Sequence, residues 1–407
     1  METLPNGLKI VFVPESHSEA VAFGIFVASG SRHETAKTAG ISHFIEHMLF
    51  KGTAKRSALE ISRAIEGKGG NFNAFTSEET TCFYSYLPSD AFKTSVDILT
   101  DMYANAAIPE KDFAIEKGVI LEEIKMYDDE PDAVAAENLS RALFPKNPLG
   151  LPIAGSAKSL MPMTAQDLRD YIKKAYVPSA TVVVVSGRFD RDEARRLVVS
   201  TLGAREKAPK LKYAKVRQDA KTIPEIKIER DISQVQMAMG FKIFGNTDER
   251  KYAATVFDCL MGRTMSSRLF QAVREKRGLS YDIRSNLQFF GDVGGWTVNA
   301  GLDGARVGQA VKAIDVELDK IRQKKPSAAE LRRTKDYLTG NFKLSMEQVR
   351  ARLFYFGAAT LSYGKIVDPA EMVEKIEAVT ADEVQELAQS ILLDSKKSVS
   401  WVVPKKK

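Results

Sequence analysis

After residue 224 the chain repeats, in weak form, the order of features that precedes it. The apolar run Ala20–Val27 returns as Ser233–Phe241, and Pro109-Glu110 returns as Pro326-Ser327-Ala328-Ala329-Glu330. A helical pattern over Tyr252–Met261 occupies the place that Gly40–Phe50 holds in the first half. The Lys-rich stretch 204–224 contains Pro209 and Pro224 and lacks clear periodicity, as a connector does. At 407 residues the chain is long enough for two cores. The expectation is an α+β protein (an α/β sandwich) of two internally repeated domains, each a mainly antiparallel sheet packed with helices. We place the first domain at 1–205, a linker at 206–224 and the second domain at 225–407.

Only the first copy carries histidines at helical spacing. Gly40-Ile41-Ser42-His43-Phe44-Ile45-Glu46-His47-Met48-Leu49-Phe50 reads as an amphipathic helix. Each helical residue turns roughly 100°, so His47 lies roughly 40° from His43 and Glu46 roughly 60° to the other side. Two imidazoles can thus reach one ion, with a carboxylate close beside it. That set suits Zn²⁺, which takes imidazole nitrogens and keeps one position open for water in catalytic sites. Glu46 is placed to take the proton of that water. There are 4 histidines in the chain and none follows His47, so the second copy is expected to hold no metal. His17 and His33 read as exposed loop residues.

The rest of the first half supplies candidate partners. Leu8–Val13 and Ala20–Val27 read as strands, the second largely buried. Gly52 suits a helix stop after the histidines, and Ser57 with Glu60 three residues on suits the start of the next helix. Asn71–Thr76 and Thr80–Leu87 read as an antiparallel pair. Its first member, Asn71-Phe72-Asn73-Ala74-Phe75-Thr76, is short, polar and beside a glycine break, as edge strands are. An exposed edge can take an extended peptide as an added strand. Ser89–Ala106 is expected to be a helix, and Pro109-Glu110 starts another that contains Glu116 and Glu123. Those two glutamates fall about 20° off one line on a helix. A zinc site with two histidines often takes a glutamate as third ligand. By spacing, either Glu116 or Glu123 could serve, the other standing behind it.

Charge and composition narrow the partners. The formal net charge is +6, but no basic stripe is interleaved with aromatics, so no nucleic-acid partner is expected. No run approaches the ~18 apolar residues of a membrane span. The start, Met1-Glu2-Thr3-Leu4-Pro5, has neither a charged n-region nor an apolar core, and the 2 cysteines form no disulfide framework. These features read as a cytoplasmic-type chain with no membrane partner.

His43-Phe44-Ile45-Glu46-His47, followed by Leu49-Phe50-Lys51-Gly52-Thr53, resembles the inverted zinc motif of the pitrilysin/insulinase-type metallopeptidases. The half-length form that it is most like includes the mitochondrial processing peptidase β-subunit and bacterial relatives. Asn73-Ala74-Phe75-Thr76 is similar to the family's substrate-binding edge strand. Glu116–Glu123 resembles its distal-ligand helix. The family spacing, about 76 residues beyond the second histidine, selects Glu123 as third ligand and puts Glu116 on its companion carboxylate. Ser266-Ser267-Arg268-Leu269-Phe270, continuing to Tyr281, matches a stretch of the family's second half, with Arg274 and Tyr281 on its Arg/Tyr pair. An Arg guanidinium and a Tyr hydroxyl can donate to a developing oxyanion. Where relatives often carry a glycine run before that stretch, this chain has Met261-Gly262-Arg263-Thr264-Met265.

The resemblance implies a zinc-dependent endopeptidase acting on extended, unstructured peptides. It implies one Zn²⁺ per chain and a closed chamber formed by a homodimer, with a heterodimer as the other arrangement. Two alternatives stand beside it. One is a presequence-processing peptidase that needs a different partner chain. The other is a non-catalytic core-like structural subunit, against which the complete set His43, Glu46, His47 and Glu123 argues.

Overall fold

The computed structural model describes residues 1–217 and 221–405. Residues 218–220 of the expected linker lie outside the described residues. The remainder of that linker up to residue 217 carries neither helix nor strand from 206 onward.

The chain packs as two compact units, and neither is contiguous. The first comprises Met1–Ile124, Leu151–Ala214 and Lys343–Val367; the second comprises Lys125–Gly150, Lys215–Phe342 and Asp368–Lys407. The division near 214 falls inside the compositional linker, yet each unit also takes a helical segment from the other half of the sequence. The packing units therefore differ from the contiguous halves 1–205 and 225–407.

The first unit is built on six strands: β1 (Glu2–Thr3), β2 (Lys9–Pro14), β3 (Ala20–Val27), β4 (Asn71–Thr76), β5 (Thr81–Pro88) and β6 (Thr181–Gly187). Their order is β1-β2-β6-β3-β5-β4. Only β2 and β6 run parallel. β3 is buried on both faces, which is why it reads as a continuous apolar run rather than an alternating one. Val21, Phe23, Ile25 and Val27 face one core with helices α1 (Ile41–Leu49), α2 (Ala58–Glu66) and α3 (Phe92–Asn105). Ala22 and Phe26 face the other, closed by Val349 and Leu353 of the helix Val349–Tyr363. Long helix α4 (Glu110–Asp128) is joined to α1 by the stacked rings of Phe113 and Phe44, with centroids 4.7 Å apart.

Local signals hold with small shifts. Ser57 caps α2, and Glu60 returns to the Ser57 backbone. α1 stops at Leu49 rather than at the glycine; Gly52, at φ +118, turns the chain just beyond. Ser89–Ala91 is a 3-10 turn, and the α-helix begins at Phe92. His33 is a correction to its expected exposure. Its Nδ1 accepts from the Gly30 N–H at 3.3 Å, its ring packs edge-on to Tyr213, and burial lowers its pKa to about 4.

The second unit has five strands: β7 (Glu225–Arg230), β8 (Val235–Phe244), β9 (Ser280–Phe289), β10 (Val293–Leu302) and β11 (Lys397–Pro404). Their order, β7-β11-β8-β10-β9, with β7 and β11 parallel, matches the first sheet without β1. Met237, Met239 and Phe241 pack with Trp296, Phe257 and Ile314 on one face. On the other lies helix α5 (Pro131–Leu143), which presses Leu139 and Leu143 onto Gly240. The helix Lys251–Asp258 continues as a π-helical turn, Cys259–Arg263. Among the described residues no helix is long and apolar enough to cross a membrane.

Candidate metal centre

α1 buries Ile41, Phe44, Ile45, Met48 and Leu49 and leaves His43, Glu46 and His47 partly open on the remaining face. α4 supplies the opposite wall. His43 Nε2 lies 3.8 Å from Glu123 Oε1, and His47 Nε2 lies 3.5 Å from Glu123 Oε2. One donor atom from each of His43, His47 and Glu123 falls within 4.8 Å of the others, close enough to share one ion. Seven residues earlier on the same helix, Glu116 Oε1 accepts from His47 Nδ1 at 2.9 Å. Its other oxygen meets Lys51 Nζ at 2.5 Å. Spacing along α4 left two candidates for the third position. The fold sets Glu123 against both Nε2 atoms and Glu116 behind His47.

The donor set fits a divalent metal. Burial, then the neighbouring His47, lowers the His43 pKa to about 4, so its imidazole is neutral over the physiological range. Neutral imidazole is the form that binds metal. His43 Nδ1 is buried and has no hydrogen-bond partner among the described residues. A carboxylate on the far nitrogen of a ligating imidazole, as Glu116 is on His47, fixes tautomer and ring orientation.

Glu46 stands beside this cluster without joining it. Its Oε2 accepts from the Thr76 hydroxyl at 2.5 Å. Burial pushes its carboxyl above the ordinary range; the Thr76 bond and His47 pull it back, and Glu123 adds a smaller upward push. Thr76 ends β4, which among the described residues pairs only with β5 and leaves the strand's other side open. Along β4, Asn71, Asn73 and Phe75 are exposed, while Phe72, Ala74 and Thr76 are half-buried on the α1 side. The Phe75 ring meets Phe354 edge-on at 5.9 Å.

Arg274 and Tyr281 belong to the second unit and are brought together there. Arg274 lies on the π-helical turn Phe270–Glu275, its guanidinium 5.0 Å from the Tyr281 ring centroid. Tyr281 is the second residue of β9 and is 79% exposed. The two line an open pocket of roughly 440 Å³ with Gln234, Ser280 and Asp303.

Three contacts escaped the sequence reading. Lys51 lies four residues beyond His47, a spacing that could have flagged it as a partner of the same carboxylate. The Thr76–Glu46 bond joins a strand to a helix 30 residues away. Glu34 accepts two backbone N–H groups at the start of α1. Neither of these has a local signature.

A single chain has here a two-histidine, two-glutamate centre on one unit and a second unit of the same strand order without it. Residues 9–157 match the family described as Insulinase (Peptidase family M16), and residues 162–338 match the Peptidase M16 inactive domain. The chain belongs to peptidase family M16. It is 35% identical over 398 residues to an uncharacterized zinc protease of Mycobacterium tuberculosis, covering 96% of this chain and 90% of that one. It is 33% identical over 397 residues to the uncharacterized zinc protease YmxG of Bacillus subtilis, covering 96% and 95%. In fold it is similar to a protease from Helicobacter pylori, with TM-score 0.94 at 20% identity over 99% of this chain and 98% of that one. It is likewise similar to a peptidase M16 inactive domain from Pseudomonas fluorescens, with TM-score 0.92 at 21% identity over 100% and 98%.

Proposed function

We propose that this chain is a zinc-dependent endopeptidase that cleaves extended, unstructured peptides. The observation that carries the reading is the convergence of His43, His47 and Glu123 donor atoms within 4.8 Å, with Glu46 beside them. The name of the relatives, zinc protease, supports the choice of metal. His43, His47 and Glu123 would hold one Zn²⁺ per chain. When bound, zinc supplies a Lewis acid for the scissile carbonyl and lowers the pKa of water.

The remaining work falls to the protein. Glu116 accepts from His47 Nδ1 and leaves Nε2 free to face the site. Glu46 takes the proton of the attacking water and passes it to the departing amine. The raised pKa of Glu46 suits a group that must both accept and return a proton. Thr76 keeps that carboxylate oriented.

The peptide lies along Asn73-Ala74-Phe75-Thr76 as an added strand. The open edge supports this: β4 has no charged residue, whereas the opposite kind of edge, β7, carries Glu225, Lys227, Glu229 and Arg230. Charges on an edge deter strand addition, and their absence leaves it open. Recognition through main-chain bonds reads backbone more than side chains, so broad specificity follows.

Arg274 and Tyr281 donate to the oxyanion that develops at the scissile carbonyl. In a homodimeric chamber, the pair from one chain would complete the zinc site of the other. Mixing a Glu46→Gln chain with a Tyr281→Phe chain tests that arrangement. Activity should return in the mixed dimer, because one of its sites is intact; mixed dimers without activity would reject it.

The direct test is zinc content per chain, measured beside cleavage of a quenched unstructured peptide with and without a chelator. About one zinc per chain and chelator-sensitive cleavage at many sites are expected. One defined cut would instead favour a processing peptidase. No zinc and no cleavage after zinc is added back would favour a structural subunit.

A further inference from the structure

The helix that carries His43, Glu46 and His47 begins without a side-chain cap of its own. Its N-cap is Gly40, left-handed at φ +94. A Cβ there would come 2.5 Å from the Ala154 carbonyl oxygen, so the usual Ser, Thr, Asp or Asn does not fit. The first N–H groups of any helix still need acceptors. Two of them find Glu34. Its Oε2 accepts from Gly40 N–H at 2.7 Å and its Oε1 from Ser42 N–H at 2.8 Å. The residue is 4% exposed. Among the described residues no cation pairs with it; burial raises its pKa to about 7, and the Ser42 hydroxyl with these two N–H groups pulls the other way.

The segment that holds Glu34 is itself tied to the β4–β5 turn. Ser31 N–H donates to Ser77 O at 3.2 Å, and Arg32 N–H donates to Glu78 O at 2.8 Å. One short loop therefore links the start of the metal helix to the end of the open edge strand. His43 follows Ser42 directly, and Glu46 meets Thr76 at that same strand end.

We propose that Glu34 is a positioning residue that caps α1 from outside the helix. It sets where His43 stands against Glu123 and where Glu46 stands against Thr76. The inference rests on the zinc-peptidase reading. A carboxyl group offers an acceptor to each N–H; an amide offers one and turns an NH₂ toward the other donor.

The test compares wild type, Glu34→Gln and Glu34→Asp. Zinc affinity is measured by chelator competition, kcat and KM on a quenched peptide, and amide exchange at Gly40 and Ser42 in metal-free protein. Glu34→Gln should bind zinc about tenfold more weakly, the scale of losing a group that orients a ligand. Its kcat should fall by a similar factor with KM within about twofold, since misplacing catalytic groups acts on turnover. Exchange at Gly40 and Ser42 should quicken. Glu34→Asp, which keeps two acceptors on a shorter stem, should recover part of each loss and decides the question if Glu34→Gln does not fold. Wild-type zinc affinity and kcat in a variant with only a lower Tm would overturn the proposal, leaving Glu34 a purely structural cap. Zinc-free wild-type protein would instead defeat the zinc reading on which it stands.

Discussion

The two units share a strand order and differ in what they place on it. Between β3 and β4 the first unit has α1, with two imidazoles and a carboxylate on its open face. Between β8 and β9 the second has Lys251–Asp258, which turns its polar group inward. Asp258 is buried, and its Oδ1 accepts from Ser285 Oγ at 2.6 Å and Trp296 Nε1 at 3.0 Å. The same scaffold thus uses one helix to present donors and the other to close a core. The edges differ too: β4 is uncharged, while β9 carries Asp282 and Arg284. A sheet topology fixes where side chains can stand, and the identity of a few of them decides whether that place becomes a site.

The contrast is broken most directly by exchanging losses between the units. His43→Ala should remove zinc and reduce peptide cleavage to background, whereas Asp258→Ala should leave zinc content unchanged. The second variant should instead lose about 1–3 kcal/mol of stability, because the Trp296 N–H loses its buried acceptor while the Ser285 hydroxyl falls back on the Asp258 backbone carbonyl at 3.1 Å. Metal analysis and thermal melts on both variants give the answer; loss of zinc from Asp258→Ala would erase the distinction.

Within the first unit, Glu46→Gln should keep zinc and lower turnover by ~10² or more, as loss of a general base does. Retention of the wild-type rate with zinc bound would remove Glu46 from that role. Next in size, Glu116→Gln should weaken zinc binding about 10- to 100-fold through His47, measured by competition with a chelator. Thr76→Val removes the hydroxyl that holds Glu46; kcat should drop by about tenfold or less, in keeping with one hydrogen bond to a charged group. An unchanged kcat would show that Glu46 orients itself without the strand.

The smallest effect belongs to the second unit. Arg268 makes two bonds to Glu330, at 2.7 and 2.8 Å, and these hold its carboxyl below the ordinary value of 4.5. A carboxyl whose folded pKa is depressed contributes stability above its unfolded pKa and loses it as pH falls through the folded value. Below about pH 4.5 the wild-type Tm should therefore fall more steeply than that of Glu330→Gln. Parallel curves would mean that the pair contributes nothing measurable.

Much of this was legible in the residues. The 3.6-residue period and the spacing of His43, Glu46 and His47 specify a helix with donors on one face, whatever surrounds it. Ser57 and Glu60 announce the next helix by a capping pattern that needs only three residues of separation. The polar, uncharged run Asn71–Thr76 announces an open edge. The repeat after residue 224 announces a second copy of the same sheet. Each of these signals is local, because backbone geometry ties residues a few positions apart into fixed relations.

Other features were decided only when the chain closed on itself. Spacing put Glu116 and Glu123 on nearly one line of α4. The Phe44–Phe113 stack and the docking of α4 then set Glu123 against both histidines and Glu116 behind one. The exchange of α5 and Val349–Tyr363 between the sequence halves has no sign in composition, because an apolar helix face matches either sheet until both are formed. Glu34 at the start of α1 and Thr76 on Glu46 join segments with no periodic relation. By itself the sequence determined the helix with the histidines and the helices that follow it in the first half, an edge strand, the duplication and the set of residues able to bind metal. Tertiary packing decided which of those residues meet, because contacts between distant segments depend on how buried faces fit, not on the steps of the local backbone.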